Sequence, residues 1–245
     1  MTGGTGVLGS AIVAHLCARS ACPEGVLADG SPSPVNAEHA QVIANYRRDH
    51  QRALSLRQST GCGLYRADVG DEKALSAMFE ALPPLQAVIH AAAISSDAVL
   101  PALSRAAWRE TMRVNVDGAF LVVRAALGKL APGGHLLLLG SRAGERGNRG
   151  QAAYAASKAA LFALARCAAR EAAQRHIAVN VICPGFVPSG LSQAQGEAAS
   201  TAYRRQSVLG TTGSAAELVA TVDWLLSDAA AAITGQIIHC DSRIG

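Results

Sequence analysis

Three side chains in the middle of the chain stand at spacings that could move a proton on and off an oxygen. Ser141 lies in Gly140-Ser141-Arg142-Ala143-Gly144. Tyr154 and Lys158 follow in Gln151-Ala152-Ala153-Tyr154-Ala155-Ala156-Ser157-Lys158. A step of four places Tyr154 and Lys158 on one face of a helix. A lysine ammonium beside a phenol favours the phenolate, so the spacing predicts a Tyr154 pKa lowered toward neutrality. A tyrosine tuned that way passes a proton to a carbonyl oxygen or takes one from an alcohol. The Ser141 hydroxyl can point at the same oxygen.

Elements that could position such a group alternate along the chain. Strand-like runs fall at residues 41–45, 64–67, 87–91, 135–139, 177–183 and 236–240, and helical patterns at 10–16, 103–130, 151–175 and 215–226. The alternation predicts an α/β fold, a Rossmann-type doubly wound parallel sheet with helices on both faces, in a single domain over residues 1–245. Residues 21–40 carry Pro23, Gly25, Gly30, Pro32 and Pro34 and read as a loop insertion. Residues 187–210 read as a substrate lid. No internal repeat or domain linker interrupts the pattern.

Composition narrows the function classes. Half of the 245 residues are hydrophobic and 16% are charged, enough for a substantial core and too apolar for a disordered chain. A net charge of +4 is too weak to argue for nucleic acid. No apolar run approaches the roughly 20 residues of a membrane span and no signal peptide is evident, so a cytoplasmic protein without membrane contact is expected. Cys17, Cys22, Cys62, Cys167, Cys183 and Cys240 form no C-x-x-C pair and the histidines are scattered, so no metal is expected and the thiols read as reduced. His90, at the end of an apolar run, reads as a packed wall residue.

The segment Thr2-Gly3-Gly4-Thr5-Gly6-Val7-Leu8-Gly9 runs into a helix. Glycines let a backbone approach a pyrophosphate, and a helix N-terminus offers free N–H groups to it. In a Rossmann-type fold a central strand precedes such a loop. Here the loop begins at residue 2, so the first strand is missing from this sequence, and an apolar run upstream of Met1 is the expectation.

Taken together and in this order, the glycine loop, Ser141 and Tyr154-x-x-x-Lys158 resemble the short-chain dehydrogenase/reductase family. Gly150-Gln151-Ala152-Ala153-Tyr154, Pro184-Gly185-Phe186-Val187 and Ile233-Thr234-Gly235-Gln236 are most similar to its β-ketoacyl-acyl-carrier-protein reductases. The resemblance implies NADP(H)-dependent reduction of a 3-oxoacyl thioester on acyl carrier protein, with Asn115, Ser141, Tyr154 and Lys158 catalytic. Asn115 would kink the fourth helix and hold a relay water.

For the cofactor the resemblance implies contacts from Gly3, Thr5, Gly6, Val7, Leu8 and Gly9, although Val7 stands where one family pattern has glycine. It further implies Asp68 and Val69 at the adenine, Ala91 and Ala92 in a motif that has lost its asparagines, and Tyr154 and Lys158 at the ribose. Pro184, Gly185, Val187 and Ser189 would hold the carboxamide. Tyr46, Arg47 and Arg48 end the second strand with no acid among them. The two arginines could pair with a 2′-phosphate, which points to NADP rather than NAD. Lys129 and Arg175 would face the acidic carrier protein, and a homo-oligomer, a tetramer, is implied. Two other readings stand beside this one. One is the same chemistry on a free small ketone or alcohol. The other is a non-catalytic member that senses a cofactor or binds a partner.

Overall fold

The structure, a computed structural model, describes residues 1–19, 42–187 and 196–243. The insertion expected at residues 21–40 and Ser189 lie outside the described residues. Among the described residues six strands form: β1 (Ile43–Tyr46), β2 (Gly63–Arg66), β3 (Leu85–His90), β4 (Leu130–Leu139), β5 (Ala178–Pro184) and β6 (Ile237–Cys240). The last four pair in parallel in the order β3-β4-β5-β6, and β1 pairs in parallel with β2.

Residues 1 and 2 occupy the slot between these two sheets. The Met1 ammonium donates to the Ile43 carbonyl at 2.6 Å, and the Asn45 amide donates to Met1 at 2.8 Å. On the other side the Thr2 amide donates to Ile89 at 2.9 Å and the Ala91 amide to Thr2 at 3.0 Å. The central position expected to lack a strand is therefore bridged by two residues, which satisfy backbone groups that would otherwise be orphaned in the interior. Burial there lowers the Met1 amine pKa to about 6.

Period-two alternation in β4 divides the core. Leu136 and Leu138 pack with α3 (Glu72–Ala81), α5 (Gly118–Lys129) and α7 (Ala152–Ala172). Leu137 and Leu139 pack with Ile12 of α1 (Val7–Arg19) and with Leu218, Val222 and Leu225 of α9 (Ala215–Leu225). With both faces covered, the strand needs an unbroken apolar run, which is what His135-Leu136-Leu137-Leu138-Leu139 supplies.

Several elements depart from the sequence pattern. The helix expected over residues 103–130 is three pieces, α4 (Arg105–Met112), a π-helical turn (Arg113–Asp117) and α5. Pro132-Gly133-Gly134 does not separate helix from strand. It bulges out of β4, where Leu85 pairs with Leu130 but Ala87 pairs with His135. α2 (His50–Thr60) and α3 are further helices, each begun by an aspartate, Asp49 or Asp71, whose carboxylate accepts an N–H three residues on. Part of the segment expected to be a lid is helical, α8 (Gly196–Gln206).

His90 is the packed wall residue the sequence implied. It is buried, its Nδ1 meets the Thr2 hydroxyl at 2.7 Å, and its Nε2 has no partner. Burial, helped by the Lys158 charge, lowers its pKa from 6.5 to about 3. The unfolded chain then binds a proton that the folded chain refuses. Stability is fully present above pH 6.5 and is lost as pH falls toward 3, with a slope of up to about 1.4 kcal/mol per pH unit. We expect His90→Asn to flatten that slope in urea titrations between pH 7 and about pH 4. An unchanged slope would contradict this origin of acid sensitivity.

Candidate active site

The carboxyl ends of the strands converge on one cleft of about 910 Å³. β4 delivers Leu139, Gly140 and Ser141 to its floor, and the chain turns through α6 (Ala143–Arg146) against α7. Gly144 makes that approach possible. A Cβ there would lie 2.7 Å from the Ala159 nitrogen and 2.8 Å from the Lys158 carbonyl carbon. Any side chain at Gly144 would push the Ser141 loop away from the helix that carries Tyr154 and Lys158. Ser141, Tyr154 and Lys158 all line the cleft, so the structure brings together the three residues that the sequence singled out.

The electrostatics differ from the sequence expectation. Tyr154 is not lowered toward neutrality. Burial pushes its pKa up to about 12, and a side-chain hydrogen bond with Ser141 only partly opposes this. Lys158 donates to the Leu139 carbonyl at 2.6 Å, and its Nζ sits 5.6 Å from the centre of the Tyr154 ring. Its ammonium is thus directed to a carbonyl rather than to the phenol oxygen. Desolvation lowers the Lys158 pKa to about 8. The result is a neutral phenol beside a lysine that is still protonated at pH 7.

Asn115 sits in the π-helical turn, where an i→i+5 bond from the Gly118 amide to Arg113 opens the helix. Its carboxamide accepts from the Ile94 amide at 2.8 Å, donates to the Ile94 carbonyl at 2.8 Å and donates to the Ser157 hydroxyl at 2.9 Å. It does not line the cleft. Through Ser157 it fastens α7 one residue before Lys158.

At the other end of the cleft lie Gly3, Gly6, Val7, Leu8 and Gly9. Gly3 has φ +70°, and a Cβ there would come within 2.6 Å of the Ala92 amide nitrogen. A Cβ on Gly9 would come within 2.2 Å of the Gly3 carbonyl oxygen. The loop therefore folds flat against α1 and leaves the helix N-terminus open to the cleft, a cradle that suits a dinucleotide pyrophosphate. Ala91, Pro184, Gly185 and Val187 also line the cleft, whereas Thr5, Tyr46, Val69 and Ala92 do not.

The arginines fall differently from their sequence order. Arg47 Nε pairs with Asp68 at 2.9 Å, and Asp68 also meets Arg113 at 3.2 Å. Asp68 and Arg47 are thus engaged with each other, and neither lines the cleft. Arg48 is exposed, and Arg52 of α2 reaches the cleft wall. Sequence reading missed Arg52, although the run Arg47-Arg48-x-x-x-Arg52 before an Asp-capped helix was a usable signal. It also missed Tyr203 and Arg243, which line the cleft from distant parts of the chain.

Lys129 and Arg175 stand elsewhere. Both precede strands whose far ends form the cleft, so within one chain they lie at the opposite edge of the sheet, roughly 20–30 Å away. Arg175 donates to the Leu127 and Leu130 carbonyls at the end of α5, and Lys129 donates to the Glu80 carbonyl at 3.4 Å. Among the described residues no three metal-ligating side chains cluster, and no helix is long and apolar enough to cross a membrane.

Comparison with known proteins agrees with the α/β fold. A family profile described as Enoyl-(Acyl carrier protein) reductase matches residues 28–242. The 3-oxoacyl-[acyl-carrier-protein] reductase FabG of Escherichia coli (strain K12) is 29% identical over 241 residues, 98% of this chain and 93% of its own. Among solved structures, BdcA in complex with NADPH superposes with a TM-score of 0.85 at 26% identity, over 100% of this chain and 92% of that one. A short-chain dehydrogenase from Burkholderia cenocepacia J2315 in complex with NADP superposes with a TM-score of 0.83 at 27% identity, over 99% and 95% of the two chains.

Proposed function

The chain belongs to the short-chain dehydrogenase/reductase family, and from that premise we propose that it is an NADPH-dependent reductase of 3-oxoacyl thioesters carried on acyl carrier protein. The observation that carries the reading is the convergence of Ser141, Tyr154 and Lys158 on the cleft that also holds the glycine loop. NADPH, when bound, supplies a hydride to the ketone carbon. Gly3, Gly6 and the amides at the start of α1 would hold its pyrophosphate. Pro184, Gly185 and Val187 would hold the carboxamide, and Lys158 the ribose.

Tyr154 gives its proton to the ketone oxygen, and Ser141 orients that oxygen. A phenol with a raised pKa is still a good donor here, because an alkoxide forming on the substrate is far more basic than a phenolate. The same raised pKa makes Tyr154 a poor base at neutral pH, which favours reduction over alcohol oxidation. Lys158 offsets the phenolate charge that remains, and Asn115 holds Lys158 in place through Ser157.

That assignment has a pH signature. Because kcat/KM reports the free enzyme, it should be level at neutral pH and fall above an apparent pKa near 8 as Lys158 loses its proton. Lys158→Arg, which stays charged, should move the fall upward. A profile that stays level beyond pH 9.5 in the parent enzyme would contradict the role.

The substrate reading is tested by NADPH oxidation with a 3-oxoacyl-carrier substrate against a panel of free ketones, at low and high salt. Equal kcat/KM for carrier-bound and free ketones would favour the smaller substrate. For docking, the exposed loop with Arg146 and Arg149 stands beside the cleft, while Lys129 and Arg175 do not. Charge reversal at Arg149 should therefore raise KM for the carrier substrate more than reversal at Lys129. A homotetramer with α5 and α7 in one interface and β6 in another completes the proposal, and a monomer by light scattering would refute that part.

A further inference from the structure

The residue directly after Ser141 is an arginine turned inward. Arg142 has a side chain only 9% exposed, and it lines the same cleft as Ser141 and Tyr154. Its Nη1 donates to Asp241 at 2.5 Å and to the Arg243 carbonyl at 2.6 Å, while its Nε is buried without any hydrogen-bond partner. Asp241, 6% exposed, also accepts from Arg243 Nε at 2.8 Å. Arg243 in turn lies over the Tyr203 ring at 4.4 Å, and Tyr203 stacks on Phe186 at 4.3 Å.

Among the described residues, two guanidinium groups around one carboxylate leave a positive charge in a nearly dry part of the cleft wall. Burying such a charge costs free energy unless a counter-charge arrives. The other acid of that loop, Glu145, is engaged by His239 at 3.1 Å, and Asp97, which also lines the cleft, accepts from Ser95 and Gln151. Phe186 and Tyr203 form an aromatic wall beside the cluster, suited to a short hydrocarbon segment. The cluster is a built site: the catalytic loop, α8 and the chain's last described residues converge there, with Ser207 hydrogen-bonded to Ser242 at 2.5 Å.

We propose that the Arg142–Asp241–Arg243 cluster is a subsite for a carboxylate on the substrate, so that the preferred acyl chain is one ending in a carboxylate. This rests on the reductase reading above. The phosphate of a carrier arm is separated from the thioester by the whole arm and is not the group meant here. Thioesters without that phosphate therefore serve as probes.

The test has two arms on the NADPH-loaded protein. In the first, calorimetry compares hexanoate with hexanamide. In the second, kcat/KM is compared for the N-acetylcysteamine thioester of 3-oxoadipate and for its ω-methyl ester. Carboxylate should be favoured about ten- to a hundredfold in both, the factor a hydrogen bond to a charged group carries. Arg142→Met should collapse the preference and Arg142→Lys should keep part of it. If Arg142→Met does not fold, Arg243→Met takes its place. Equal binding of hexanoate and hexanamide would overturn the proposal, as would an undiminished preference in Arg142→Met. A cluster that merely pins the chain end predicts just that, with a lower Tm as the sole effect of the variants. Should neither thioester be reduced while hexanoate keeps its preference, the reductase reading fails and the subsite stands.

Discussion

Replacing Tyr154 with Phe should lower kcat for ketone reduction by about 10²–10⁴-fold, the contribution of a positioned proton donor. The phenol is held between burial and Ser141 and stays protonated at neutral pH because its pKa is about 12. Phe keeps the ring and its packing on α7 and removes only the hydroxyl. NADPH binding and Tm should therefore change little, which separates loss of chemistry from loss of fold. Stopped-flow NADPH oxidation together with a thermal melt reads both. Near-normal kcat in Tyr154→Phe would exclude the proton-donor assignment and leave the non-catalytic reading in its place.

NADPH should be preferred to NADH by roughly ten- to a hundredfold, and the preference should depend on Arg48 and Arg52. The physical basis is the charge-assisted contact of a guanidinium with a phosphate, worth about 1.5–3 kcal/mol. Arg47 was the other arginine the sequence pointed to, but its guanidinium is held by Asp68. Arg52 reaches the cleft from the first turns of α2 instead. The double substitution Arg48→Ala, Arg52→Ala should bring kcat/KM for the two cofactors close together by raising KM for NADPH. Arg47→Ala should act chiefly through the loosened Asp68. Equal use of both cofactors by the parent enzyme would refute the preference, and an unchanged preference in the double variant would refute its origin.

Much of this protein could be read along the chain because the informative signals were local. The four-residue step from Tyr154 to Lys158 needs only a helix to put both side chains on one face, and the helix formed. Leu136 to Leu139 had to be buried on both sides, and the strand lies at the centre of the four-stranded sheet with helices on each face. Gly3 suited a flat loop and Gly9 the first turn of the helix that follows, and a Cβ at either would meet backbone. The polar helix α2 was missed because it carries little apolar periodicity, and its aspartate cap was the signal available. α3 was missed although both its aspartate cap and the helical spacing of Leu75, Met78 and Phe79 were there to be read.

Charge states and side-chain partners were decided only by the tertiary structure, since both depend on what surrounds a group in three dimensions. From the sequence, Lys158 should lower the Tyr154 pKa. In the fold the lysine turns to the Leu139 carbonyl, and burial raises the phenol instead. Likewise, Arg47 and Asp68 were separate candidates for the 2′-phosphate and the adenine of a cofactor, and the parallel pairing of β1 with β2 sets them against each other. The pairing of Arg142 with Asp241 and Arg243, about a hundred residues away along the chain, has no local signature at all. What a sequence determines alone is periodicity, caps and the order of motifs, which act over a few residues. Which charges share a dry pocket is settled by long-range packing, and here that packing sets the polarity of the cleft.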